Sequence, residues 1–196
     1  MVTWSKIKER IYYEFLSLVK PEMIGVKNGA GKNVLKDTRV SNFSRISNPS
    51  NVFLGDNVFI AHFTYIDGFH RSIKIGNGCQ ISNFTSILTH STHHAIRLYG
   101  EALPLYWQTS MKGLITGPVE IGEYTFVGSH VVIMPGTIIG KGCIVAAYSF
   151  LDGKYEDYSI VKGNPAKVIG DTREIDDWLL REFPELNEFY YLNIKE

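Results

Sequence analysis

Cysteine is scarce in this chain: there are two, Cys79 and Cys143, and they do not stand in a CxxC spacing. They supply neither a zinc site nor a disulfide framework, so a reducing, cytoplasmic setting is expected. Neither sign of charge is in excess, since Lys+Arg and Asp+Glu are both 20 and the formal net charge is zero. Proteins whose main partner is nucleic acid carry a basic surplus, so no nucleic-acid partner is expected. Long apolar runs are missing too, and nothing approaches the roughly eighteen residues of a transmembrane segment. The opening stretch MVTWSKIKERIYYEFLSLVKPE interleaves charges with apolar residues and lacks the uninterrupted core of a secretory signal. What remains is an ordinary composition, 196 residues with 44% hydrophobic. That suits one domain whose core needs no covalent or metal staple.

What the chain does have is a repeat. Stepping by six from Ile115 gives Ile121, Val127, Ile133, Ile139, Val145 and Leu151, all aliphatic. Four residues after each aliphatic position stands a small or β-branched residue: Val119, Thr125, Val131, Thr137, Cys143, Ser149. The same period runs upstream with shifts of phase, through Val34, Val40, Ile46 and Val52, then Leu54, Ile60 and Ile66, then Ile75, Ile81 and Ile87. Neither the strand period of two nor the helix period of 3.6 returns the same environment every six residues. A coil of three short strands does, with one large and one small residue pointing inward from each side, and stacked coils form a parallel β-helix. The fold expected is thus an all-β solenoid of hexapeptide repeats over 34–170. The two cysteines fall in small inward positions and need no redox role.

The ends are of another kind. Ile7, Ile11, Phe15 and Leu18 lie at helical spacing before Pro21, and Ile175, Leu179, Leu180 and Phe183 repeat the pattern behind Thr172 as a candidate N-cap. An N-terminal helical cap over 1–33 and a C-terminal helix within 171–196 are expected, packed on the solenoid ends. Two segments break the register: Gly68–Lys74 and a long loop over about 90–114. Loops on a rigid scaffold are where function concentrates. The long loop holds three of the six histidines together with Arg97, Tyr99, Tyr106 and Trp107.

The stretch IGEYTFVGSHVVIMPGTIIGKGCIVAAYSF, the closing GNPAKVI and the loop ILTHSTHHAIRLYG resemble the hexapeptide-repeat acyltransferases. The likeness is to galactoside, maltose and xenobiotic acetyltransferases and to bacterial polysaccharide O-acetyltransferases. It implies a left-handed coil, a homotrimer, acetyl-CoA as co-substrate without a metal, and a sugar hydroxyl as acceptor, as in O-antigen or capsule biosynthesis. It also implies a histidine general base. A gapless comparison of the loop places that base on His90, while counting along the repeat from Ile81 makes His93 the nearest; His93 is preferred, then His90, with His94 third. On the cofactor side the resemblance marks Ser129, Ala147, Lys162 and Lys167, with Lys154 in reserve because Asp152-Gly153 departs from the usual pattern.

Acetyl transfer to a hydroxyl needs a base near neutral pH and a water-poor site, and histidine suits the first. Arg97 and Trp107 suit an acceptor sugar by hydrogen bonding and ring packing, though they suit equally the anchoring of the loop. Asp67 and His70, in the minor break, are further acceptor candidates. Two rivals stand. One is a carbonic-anhydrase-like metal enzyme on the same solenoid, against which the absence of H-x4-H spacing speaks. The other is a solenoid that binds a partner or sugar without transferring anything.

Overall fold

The computed structural model describes residues 4, 6–8, 10–11, 23–27, 34–106 and 112–193. From Val34 onward the chain visits three sheets in strict rotation. The first face holds Val34–Ser41, Phe59–Ile60, Gln80–Ile81, Phe126–Val127, Ile144–Val145 and Ser159–Gly163. The second holds Arg45–Ser47, Tyr65–Asp67, Ser86–Leu88, Val132–Ile133 and Phe150–Leu151, and the third Val52–Leu54, Ile73–Ile75, Val119–Ile121, Ile138–Ile139 and Lys154–Tyr155. Within each face the pairing of these strands is parallel, for example Ile81 with Val127 and Val127 with Val145. The result is a three-sided coil whose turns stack along one axis.

Its interior is what the hexad requires. Ile60, Ile66, Ile81, Ile87, Val127, Ile133, Val145 and Leu151 are fully buried. The small positions do more than make room. Thr125 Oγ1 donates to Gly140 O at 2.8 Å, Thr85 Oγ1 to Gly128 O at 3.2 Å, and Thr137 Oγ1 to Leu151 O at 3.3 Å. Each of these bonds reaches the next coil, so a column of side-chain bonds parallels the backbone ladders. Cys79 Sγ and Cys143 Sγ occupy the same slots against Gly122 O and Glu156 O. Burial pushes the Cys79 thiol up to about 11 and the Cys143 thiol up as well, which leaves both unreactive. The glycine after the aliphatic position has a steric reason: a Cβ on Gly122 would lie 2.5 Å from the backbone of Gly140, and one on Gly128 would lie 2.6 Å from Ala147 N.

Two hexad members depart from the expected environment. Ile115 is only half-buried, because Ile115–Thr116 pairs antiparallel with His90–Ser91 in a ribbon at the base of the long loop. Ser50, the small position four residues after Ile46, is exposed, in a 3-10 turn over Pro49–Asn51 that precedes the third face.

The corner between the first and second faces carries an aromatic ladder. Phe63 and Phe84 stack at 5.1 Å, Phe84 and His130 at 4.8 Å, and His130 and Tyr148 at 4.8 Å, while Phe43 meets Phe63 edge-on. All four stacked residues have φ between 58° and 62°. That left-handed conformation costs a residue other than glycine about 1–2 kcal/mol. At the corner between the third and first faces the same geometry is met by Gly78 and Gly142 among others. Aromatic stacking, about 0.5–1.5 kcal/mol per pair, offsets much of the cost.

Beyond the coil, Met23–Lys27 pairs antiparallel with the first strand and Ala166–Asp171 with the last, so each end of the first sheet finishes on a reversed strand. Helix α1, Ala95–Tyr99, lies in the long loop; α2, Thr172–Glu182, and α3, Asn187–Asn193, follow the coil. Asp171 caps α2 by accepting from Arg173 N, and Thr172 ties it to the coil through Gly142 O at 2.9 Å. Both helices lie along the corner of Asn57 and Tyr124, with a cavity of about 530 Å³ between helices and coil. Of the N-terminal helical cap expected over 1–33, residues 4, 6–8 and 10–11 are helical, Met23–Lys27 is instead a strand because it pairs with the first coil, and Phe15 and Leu18 lie outside the described residues.

Candidate active site

The break at Gly68 and the long loop meet because Asp67 and Leu88 are partners on adjacent coils of the second face. Where the strand Ser86–Leu88 ends, Thr89 Oγ1 donates to Asp67 O at 2.6 Å and accepts from His70 N at 3.3 Å. One residue further, the His90 ring turns onto the carboxylate, with Nδ1 2.5 Å from Asp67 Oδ2. The other oxygen, Oδ1, accepts from Phe69 N. The Asp67 side chain is 1% exposed and that of His90 24%. A carboxylate on Nδ1 selects the tautomer with its proton there and leaves the Nε2 lone pair free to accept.

His70 packs its ring 4.4 Å from that of His90. Its Nε2 is buried without a hydrogen-bond partner. Burial first, then the neighbouring His90 and Arg71, hold its pKa below the ordinary value of 6.5, against an upward pull from Asp67. The unpaired nitrogen is tolerable only in the neutral ring.

The other loop histidines are differently placed. His93 is exposed, with Nδ1 2.8 Å from Ser91 Oγ and its ring 4.2 Å from that of His94. Arg97 lies exposed on α1. Tyr99 accepts from Lys112 N through its hydroxyl and packs on Tyr106 at 4.7 Å, so these two rings hold the loop together. Trp107 lies outside the described residues.

The residues marked for the cofactor sit at other edges of the coil. Ser129 and Ala147 occupy the first–second corner, each directly before a rung of the aromatic ladder. Ser129 lines a surface groove of about 360 Å³ with His62, Gln80 and Asn83. Lys162 and Lys167 are direct partners in the final hairpin, both exposed. Lys154 is on the third face, away from that corner.

His62 was not singled out by its sequence context. It shares a 2.6 Å hydrogen bond with the buried Ser41 one coil below. The available signal was its column: positions 62, 83, 129 and 147 each precede a corner residue of positive φ. Among the described residues no three His, Cys, Asp or Glu side chains converge as a metal site, and no helix is long and apolar enough to cross a membrane.

Residues 118–153 match the family model of the bacterial transferase hexapeptide (six repeats). The chain is 32% identical over 101 residues, half of each sequence, to WbbJ of Escherichia coli, named for O-acetyl transfer in lipopolysaccharide biosynthesis. It resembles a maltose O-acetyltransferase from Clostridium difficile with TM-score 0.52 and 25% identity, over 66% of this chain and 64% of that one. It resembles equally the hexapeptide-repeat acetyltransferase VCA0836 of Vibrio cholerae, solved with acetyl coenzyme A, with TM-score 0.53 and 25% identity over 65% and 64%. The curated relatives are matched over about a fifth to a half of their length. The chain therefore carries bacterial transferase hexapeptide repeats and resembles the hexapeptide-repeat acyltransferases in sequence and in fold.

Proposed function

We propose that the protein is an O-acetyltransferase that moves the acetyl group of acetyl-CoA to a sugar hydroxyl, on a left-handed coil, in the making of a surface polysaccharide. The observation that carries this reading is the Asp67–His90 pair at the mouth of the long loop. His90 is the base, in preference to His93, because it alone of the loop histidines has a buried carboxylate on Nδ1. Nε2 takes the proton of the acceptor hydroxyl as its oxygen attacks the thioester carbonyl, and returns it to the thiolate that leaves when the tetrahedral adduct collapses. Asp67 keeps the ring oriented and balances the charge of the transient imidazolium.

A homotrimer is supported by where the groups lie on one chain. His90 falls three residues beyond Ile87, the partner of Ile133, and so stands at the far edge of the second face from Ser129. The intervening extended run is roughly 20 Å long. Packing copies side by side brings the His90 edge of one against the Ser129 edge of the next, with the groove between them. Acceptor contacts fall to Arg97 and Trp107 and to the His62 groove. Asp67, an acceptor candidate by sequence, is assigned instead to His90.

The deciding experiment is calorimetric titration with acetyl-CoA, followed by acetyl transfer to a panel of sugars. Saturable binding at one site per chain, with transfer lost in His90→Ala, supports the reading. A folded, trimeric protein that binds no acyl-CoA returns the coil to the non-catalytic class.

A further inference from the structure

The break after Asp67 is tied down along its length. Gly68 N donates to Ser47 O at 3.0 Å, and Gly68 O accepts from Asn51 Nδ2 at 2.9 Å and from Asn48 Nδ2 at 3.3 Å. A Cβ on Gly68 would lie 2.9 Å from Val52 Cγ2, so the chain passes flat against the neighbouring coil. The turn at Pro49–Asn51 on one coil thus anchors the break on the next. Beyond that anchor Phe69 N donates to Asp67 Oδ1, His70 N donates to Thr89 Oγ1, and Arg71 Nη1 donates to His70 O at 3.0 Å. The backbone of His70 is therefore fixed from the coils on both sides, through Asn51 below and Thr89 above.

This fixed backbone presents a ring. The His70 and His90 rings lie 4.4 Å apart at 49°, a van der Waals contact that leaves no space for water between them. Phe69 packs edge-on against the His70 ring at 5.1 Å. His70 Nε2 is buried without a partner, so an acceptor hydroxyl does not reach it. A stranded nitrogen persists where the surroundings over-determine the place of the group that carries it. The His70 ring is thus held by backbone and packing, not by a bond at Nε2. His90 needs such a neighbour. Its single bond from Nδ1 to Asp67 is a pivot about which the imidazole can swing, and a second ring packed against it removes that freedom.

We propose that His70 is a positioning residue for acetyl transfer: its ring, carried by the anchored break, keeps the His90 imidazole on Asp67 with Nε2 free for the acceptor hydroxyl. This rests on the reading of His90 as the base. It gives the Gly68 segment a purpose other than lining the acceptor pocket.

The test compares His70→Ala, which removes the ring, with His70→Phe, which keeps a flat ring without nitrogen. Acetyl transfer and nitrogen NMR of the histidine rings are both read on the whole protein. The expected result is that His70→Ala lowers kcat about ten- to a hundredfold, the cost of a misplaced reacting group, with KM for acetyl-CoA unchanged. His70→Phe restores kcat to within about threefold of the parent. In the spectra the parent and His70→Phe hold His90 in the form protonated at Nδ1, while His70→Ala populates both tautomers. Should His70→Ala fail to fold, His70→Gln, which keeps bulk without a flat ring, carries the same expectation. A single His90 tautomer in the ringless variant overturns the proposal, as does a kcat there within threefold of the parent. An equal fall of kcat in His70→Phe also overturns it, since the nitrogen and not the ring would then matter. Mixed tautomers in the ringless variant of a protein that transfers no acetyl group remove the acetyl-transfer reading and leave the positioning of His90 standing.

Discussion

The coils over 118–163 and those over 45–116 are made from the same hexad, yet they differ in every interruption. The later coils run without insertion, and the family model matches within them. The earlier coils contain the Gly68 break and the long loop, and there Asp67, His70 and His90 are assembled. The regular part provides straight edges, with Ser129 and Ala147 at one corner and the lysine hairpin on the last strand. The interrupted part provides chemistry that a repeat cannot, because three different side chains must meet at one point.

The comparison can be broken most severely at its interrupted side. His90→Ala is expected to lower kcat by about 10² to 10⁴, with the acetyl-CoA dissociation constant unchanged by calorimetry. His93→Ala should stay within about threefold of the parent; a larger loss for His93 than for His90 would reverse the assignment of the base. Asp67→Asn is expected to cost about 10² to 10⁴ in kcat, because an amide on Nδ1 favours the wrong tautomer of the ring. On the regular side, Ile133→Ala should leave the chemistry alone and cost about 2–5 kcal/mol of stability in urea unfolding, since Ile133 is fully buried. The smallest effect concerns pH. The His70 pKa is lowered by folding, so the unfolded chain binds the extra proton first, and stability falls as pH drops below the ordinary value of 6.5. In thermal unfolding at pH 7.5 and 5.5, His70→Phe should show the smaller acid-induced loss of Tm. An equal loss in both proteins would show that the ring is not held neutral by its surroundings.

How much of this was legible in the sequence depends on the distance over which each signal acts. The inward positions from Ile121 to Leu151 could be read directly, because a period is a local property that burial then enforces. Ile115 shows the limit: it is in phase with the hexad by count, yet its partner is Ser91 in the loop ribbon. The reversed strand Met23–Lys27 gave no signal, since it depends on the first coil being there to pair with. At the site, His90 and Asp67 were each candidates but not a pair. Their contact follows from the alignment of Ile66 with Ile87 on neighbouring coils, a register that the inserted Gly68 segment conceals. The His62–Ser41 contact was hidden in the same way.

The column of inward hydroxyl and thiol bonds has a further consequence. These bonds run only between neighbouring coils, so the coil should open from its ends, as a stack of coupled units does. Amide exchange should be fastest near Val40 and Val161 and slowest about Ile81, Ile87 and Val127. His90 extends from the third of five complete coils, which a last strand on the first face follows. The Asp67–His90 pair is thus seated in the stretch that frays last, and losing an outer coil would erode the groove before it disturbed that pair.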